Sequence, residues 1–290
     1  MYRLIWILLL YLEANLAQAT CSREITVPFS QQGVDQWLSG EERRGLSVDY
    51  LMEVSRRTGC RFEFRNVPRA RAWLMFEKGQ ADLLLGAVHS PERDKFGVFF
   101  SQNVLEGVSL VSLKSTPLHL NSSGDILASG LTLTYVRSHD YGPQTAGLIK
   151  ALDAQGRVIL AKDPTAMLRM VKAGRANGAI VLGSAISVEA HRLRLDDKLS
   201  GLIIEDLGWT TSGLYLSKDL NPEDHQLLAR TFAEMSKEDF YIHLAQDPLR
   251  TQPAWVQTSI RLDTQQAMCL VKSNDTTEAF SLSLRARPSR

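Results

Sequence analysis

EKGQADLLLGAV, residues 77–88, reads as a helix end, a glycine and a strand. The helix stops at Gly79. Ala81–Val88 is then almost wholly apolar, as a strand covered on both faces should be. The same order returns as KAGRANGAIVLG, residues 172–183, with Gly174 lying 95 residues beyond Gly79. A supersecondary unit repeated at that distance predicts two lobes of similar form. The plainer alternative is that any two βαβαβ segments look alike.

Outward from the first stretch, Glu24–Phe29 reads as a strand and Ser47–Arg57 as a helix with Tyr50, Leu51 and Val54 on one face. Arg61–Asn66 alternates as a strand, and Ala70–Lys78 is helical. Strand, helix, strand, helix, strand is a parallel sheet with helices on its faces. Around the second stretch, Leu131–Arg137 and Arg157–Lys162 read as strands and Gln144–Ala154 as a helix. Asp163 caps a further helix with Pro164 in its first turn, and Gly178–Gly183 is a buried strand.

Val104–Leu113 and Trp209–Ser217 bracket the second unit and can carry the chain across and back. Helices starting at Asn221-Pro222 and spanning Glu238–Gln246 complete the first lobe. The expected fold class is α/β, each lobe a mainly parallel sheet flanked by helices, the two joined by two hinge strands. Expected boundaries are 1–19 for a signal peptide, 20–108 plus 214–255 for lobe one and 109–213 for lobe two. Residues 256–290 form a C-terminal extension without an assigned role, where Phe280, Leu282 and Leu284 alternate with serines like one more strand.

The chain has 290 residues, 22% charged and 44% hydrophobic, with a formal net charge of +1. That balance gives no general attraction to nucleic acid or anionic membrane, so electrostatic recognition must be local. Arg3, the apolar run Leu4–Leu12 and Ala17-Gln18-Ala19 make a secretory signal cleaved after Ala19, placing the mature protein in the periplasm. A lipid-anchored Cys21 is the weaker reading, because Gln18 stands where such signals carry an apolar residue. In an oxidising compartment, Cys21 and Cys60 each precede a strand. If those strands are parallel neighbours, both cysteines lie at the same edge of the sheet, and the pair Cys21–Cys60 is predicted, worth at most about 4 kcal/mol. Cys269 is left over, and no Cys/His cluster has zinc-like spacing.

VPRARAW, residues 67–73, puts Arg69 and Arg71 where a strand turns into a helix. A cation there is unfavourable by up to about 1 kcal/mol unless an anion offsets it. Taken together, GCRFEFRNVPRARAW, GQADLLLGAVHSPERDKFGVFFS and KAGRANGAIVL, in this order after a signal peptide, resemble the bacterial periplasmic solute-binding proteins of family 3. These include the amino-acid receptors of ABC importers. The resemblance covers about residues 24–250 and is most specific over 60–101. It implies the two-lobed type II periplasmic-binding fold, closing on a small solute.

The resemblance also implies that Arg93, in SPERDKFGVFFS ahead of Phe100-Ser101, grips the solute's carboxylate. Arg71 matches an arginine at the start of the second helix in some members, and Phe29 matches an aromatic wall. The chain departs from the amino-acid receptors at Leu182, where they place an acidic residue, and in the turn SHDYG, residues 138–142. Solutes of open parallel sheets bind beyond the carboxyl ends of the strands. Arg69, Arg71, His89 and Arg93 follow such ends in lobe one, and guanidinium forks suit carboxylates. Ser138, His139, Asp140 and Tyr141 would meet the solute from lobe two.

The function expected is binding of a small anionic or zwitterionic solute, amino-acid-like or a carboxylate, by hinge closure for an ABC importer. The partners expected are that solute and a membrane permease or sensor, with no nucleic acid, no cofactor and a monomeric chain. The runners-up are a sensory or partner-binding module, and a dehydratase of the same fold acting on a cyclic carboxylic acid with Asp140 or Glu92 as general acid. No HExxH, phosphate-cradling loop or complete nucleophile elbow is present, so no enzyme is expected.

Overall fold

The computed structural model describes residues 20–137 and 139–263. The signal peptide, Ser138, Cys269 and the expected strand near Phe280 lie outside them. β1 (Ile25–Phe29) is followed by a hairpin, β2 (Trp37–Ser39) and β3 (Glu42–Arg44). Then come α1 (Leu46–Thr58), β4 (Phe62–Asn66), α2 (Arg69–Glu77) and β5 (Leu83–Val88). β1 and β4 are parallel partners, with Ile25 opposite Phe62. That register brings Cys21 and Cys60 within a Cα–Cα distance of 4.8 Å, and they form a disulfide. Gly59 closes α1 in the left-handed conformation, φ +70°, which sets the turn into β4.

β6 (Gly97–Leu113) is the long strand that leaves this lobe. It starts seven residues before the expected hinge strand. The second lobe contains α3 (Ser123–Ala128), β7 (Leu133–Val136), α4 (Pro143–Ala154), β8 (Val158–Ala161), α5 (Pro164–Lys172), β9 (Gly178–Leu182), α6 (Ser187–Arg192) and β10 (Leu199–Ile203). The Asp163 carboxylate accepts a 2.7 Å bond from the Ala166 N–H, as the cap motif requires. β7 pairs in parallel with both β8 and β9.

β11 (Trp209–Ser217) returns, antiparallel to β6 over its whole length. One path of strands, β5-β11-β6-β9-β7-β8, thus runs through both lobes. α7 (Pro222–Lys237) and α8 (Phe240–Arg250) close the first lobe. Asp239, at φ +51°, separates them, which moves the start of α8 two residues beyond the expected one. The first core gathers Val27, Leu51, Val54, Leu85 and Phe232, and the second Val108, Leu110, Leu133, Leu148 and Ile180. Each buried side chain of this size contributes about 1.5–3 kcal/mol.

The chain ends its described course with α9 (Ala254–Thr258) and β12 (Ile260–Leu262). β12 pairs with β6 at Val104–Glu106, on the side opposite β11. Trp255 packs on the second lobe's core, whereas Ile260 and Leu262 pack on the first's. A Cβ on Gly201 would lie 2.4 Å from the Trp255 ring, so glycine is required for that approach. The described part of the extension is therefore a third segment crossing between the lobes.

Candidate functional site

The site begins with a bulge. β5 and β11 pair Ala87 with Gly213 but Leu84 with Tyr215, so Leu85 and Gly86 together face one residue. Gly86 takes φ +53° to make that bend, and the carbonyls of both residues leave the ladder. Arg69, the first residue of α2, supplies their donors: Nη1 reaches Leu85 O and Nη2 reaches Gly86 O, each at 2.9 Å. It is only 8% exposed. Burial, with help from nearby Arg93, lowers its pKa to about 9 against the pull of Asp140 and Asp35. Its fork is committed to the bulge.

Arg93 sits in a short 3-10 turn, Arg93–Lys95, that Tyr215 holds down. The Tyr215 hydroxyl accepts from the Ser90 N–H at 3.0 Å and donates to Asp94 at 2.9 Å. Arg93 Nη1 donates to Val88 O at 2.7 Å, and its guanidinium lies 5.4 Å from the Trp73 ring centre. From the other lobe, an Asp140 oxygen approaches Nη1 to 3.6 Å. Burial lowers the pKa of Arg93, and Asp140 opposes that. Among the described residues no hydrogen bond engages its Nη2 or Nε, so half of the fork remains available.

The other expected first-lobe contacts lie elsewhere. Arg71 is exposed on α2 and lines no part of the interlobe cavity. His89 is half exposed, 3.1 Å from Asp94, with its ring near Phe99. Phe29 is buried at the end of β1 against the edge of Phe64. In the second lobe, the Tyr141 hydroxyl accepts from the Val136 N–H and the ring is buried, so Tyr141 holds the turn. His139 stacks on Tyr141 and reaches the cavity. Burial first, then Arg69 and Arg93, depress its pKa to about 3, leaving a neutral imidazole.

The lobes touch around this turn. Val34 N–H donates to Ser184 O at 3.3 Å. A Cβ on Gly33 would collide with that same carbonyl oxygen, and Gly33 has φ +51°, so glycine alone allows the contact. Arg192 reaches across to the Gln31 side chain and the Leu38 carbonyl.

Enclosed between the lobes is a small cavity lined by Gln32, Asp35, Glu106, His139, Ser184 and Ser212, among others. Asp35 follows β1, and Glu106 lies on β6 where it crosses between the lobes. Sequence reasoning named neither. Glu106 is 5% exposed and accepts from the Ser184 and Ser212 hydroxyls. The Tyr241 hydroxyl donates to Asp35. Burial, and next the neighbouring Glu106, raise the Asp35 pKa to about 7, although Tyr241 and Arg69 pull it down. Burial raises that of Glu106 as well, opposed by the two serines. The available signal was Glu106 itself, a lone acid in the apolar run VLEGVSLVSL. A charge in a buried strand needs partners. Among the described residues no group of three or more His, Cys, Asp or Glu is placed to hold a metal.

The family of bacterial extracellular solute-binding proteins, family 3, matches residues 21–250. No curated protein matches the sequence. Among solved structures, a histidine kinase sensor domain with similarity to periplasmic binding proteins superposes with a TM-score of 0.65 at 16% identity, covering 78% of this chain and 95% of that one. The arginine-, lysine-, histidine-binding protein ArtJ from Geobacillus stearothermophilus gives 0.65 at 13% identity, covering 80% and 97%. An ABC uptake transporter substrate-binding protein from Streptococcus pneumoniae with bound histidine gives 0.65 at 14%, covering 80% and 94%. At these identities the likeness establishes the fold, a type II periplasmic binding protein.

Proposed function

Because the chain belongs to the bacterial extracellular solute-binding proteins of family 3, we propose that it captures a small carboxylate-bearing solute, anionic or zwitterionic, by closing one lobe on the other. The closed form would be handed to an ABC importer. Arg93 carries the reading. It stands beyond β5, keeps part of its fork available and meets the second lobe's Asp140 across the cleft. A solute carboxylate taking that fork would gain charge-assisted hydrogen bonds that only the closed arrangement completes. Proposed boundaries are 20–108 plus 214–255 for lobe one and 109–213 for lobe two. Export through a cleaved signal to the periplasm belongs to the same proposal. No described helix is long and apolar enough to cross a membrane.

A thermal-shift screen of amino acids, dicarboxylates and aromatic acids tests this, with each well analysed by mass for turnover. A bound solute at 100 times its Kd stabilises by about 2.7 kcal/mol. The expected result is a shift without product, weakened in Arg93→Ala. A sensory role keeps the same binding site. Likeness to a histidine kinase sensor domain supports considering it, and growth on the bound solute by a strain lacking the protein distinguishes sensing from uptake.

A further inference from the structure

The family's match ends at residue 250, and the described chain goes on to residue 263. This remainder touches both lobes. α9 carries Trp255, which packs on the second lobe's core. Two glycines make room there. A Cβ on Gly183 would lie 3.4 Å from the Trp255 ring and 2.4 Å from Ser259 Oγ, and Gly201 admits the ring more closely still. Neither glycine has a positive φ, so the space rather than the backbone requires it.

Ser259 alone separates α9 from β12, so the segment has no slack loop. Ser259 is itself fixed and has no exposure. Its carbonyl accepts from the Gly107 N–H at 2.8 Å, and its hydroxyl donates to Val256 O at 2.8 Å. β12 then pairs with β6 over Val104–Glu106, and the Asp263 N–H donates to Asn103 O at 2.8 Å. Ile260 and Leu262 pack on the first lobe's core. Arg261, between them, points to the other face. Its guanidinium lies 3.6 Å from the Trp209 ring centre, and its Nη2 lies 3.6 Å from the carboxylate of Glu205, which follows β10.

We propose that residues 253–263 are a strap that tethers the two lobes and holds them toward the closed arrangement. Trp255 and Leu262 are seven positions apart and sit against different cores. Both are seated while Val34 of one lobe bonds Ser184 of the other. When the lobes part, one end must leave its core or β12 must leave β6. Either step loses apolar burial or hydrogen bonds that a hinge of two strands does not carry. The strap also fixes the cavity wall from outside. Ser259 abuts Gly183 and bonds Gly107, and their neighbours Ser184 and Glu106 are hydrogen-bonded to each other at the cavity. Raising the closed fraction before the solute arrives raises apparent affinity by the same factor. The strap adds a bias to the solute-capture reading and is testable without any solute, so either can fail alone.

Amide hydrogen exchange on the solute-free protein tests it. The Val34 N–H, bonded to Ser184 O across the lobes, is the reporter. Leu51 in α1 and Leu148 in α4 report on the two cores separately. Trp255→Ala releases one end of the strap and Leu262→Ala the other. Each variant should speed exchange at Val34 at least tenfold and leave both core amides within twofold of the parent. The double variant should match the faster single one, because a tether released at one end is already released. Effects that multiply in the double variant would mean two independent packing defects and overturn the strap. Exchange at Val34 unchanged within twofold in both single variants would overturn it too. So would core amides that speed up as much as Val34, since the segment would then be only a part of each core.

Discussion

Arg69 and Asp35 are both ionisable side chains enclosed beside the same cleft, and their surroundings treat them in opposite ways. Arg69 has two carbonyl oxygens fixed at its fork by the bulge in β5. Its charge completes the backbone. Asp35 has one hydroxyl from Tyr241 and a second acid, Glu106, as its neighbour. Burial and that acid favour its protonated form, against the pull of Tyr241 and Arg69. The difference teaches that the sign of a residue near a cleft says less than whether its partners are already present. A satisfied charge builds the site, and an enclosed acid short of partners holds its proton more tightly.

The largest effect that sharpens this contrast is expected from Arg69→Met. It removes the side-chain donor at the Leu85 carbonyl and leaves the Gly86 carbonyl with the Gln32 amide alone, and should cost about 2–4 kcal/mol of stability in urea unfolding. A variant as stable as the parent, but unable to bind solute, would place Arg69 among the solute's contacts instead. Next in size, Asp35→Asn should stabilise the solute-free protein at pH 8. With a folded pKa of about 7 against about 3.9 unfolded, the native state binds the extra proton between these values, so native stability falls as pH rises through the window. The parent should therefore be more stable at pH 5 than at pH 8, with roughly 2–4 kcal/mol of the difference missing in Asp35→Asn. An identical pH dependence in both proteins would mean that Asp35 ionises normally.

Arg93→Lys tests the part of the basic end that remains available. A point charge replaces a fork, and affinity for a carboxylate-bearing solute should fall about tenfold to a hundredfold, or 1.4–2.8 kcal/mol. A solute analogue with its carboxylate blocked as an amide should bind both proteins alike. A further loss with the amide would place another part of the solute near Arg93. The smallest effect is expected from Arg71→Ala. The side chain is exposed, so both stability and affinity should stay within about 0.5 kcal/mol of the parent. A tenfold loss of affinity would bring Arg71 into the site by a route that the closed cleft does not contain.

These expectations mark how far the sequence could be read. The glycine-punctuated helix ends at Gly79 and Gly174 and the buried strands after them are local signals, and each recurs in the structure. So does Trp209–Ser217 as the returning strand. The pairing of Cys21 with Cys60 followed from strand order alone. The short hairpin Trp37–Arg44 and the strand Leu199–Ile203 escaped because neither has a period long enough to register.

In the site, Arg93 and Asp140 were legible as charged residues after strand ends, and they meet. Arg69 was legible as a cation, but its acceptors exist only because β5 bulges against β11. That pairing joins residues more than 120 positions apart. Asp35 and Glu106 were invisible for the same reason. One lies in an irregular loop and the other in an apolar strand, and only the fold makes neighbours of them.

At Glu106 the strand β6 has Thr210 of β11 on one side and Ile260 of β12 on the other. Three backbones side by side make a ribbon about 10 Å wide. Such a ribbon flexes readily out of its own plane and resists sideways shear and twist. The lobes of this protein should consequently swing about a single axis lying across the ribbon, like covers on a broad spine. One distance, measured between a fluorophore on α1 and another on α5, would then follow the whole excursion.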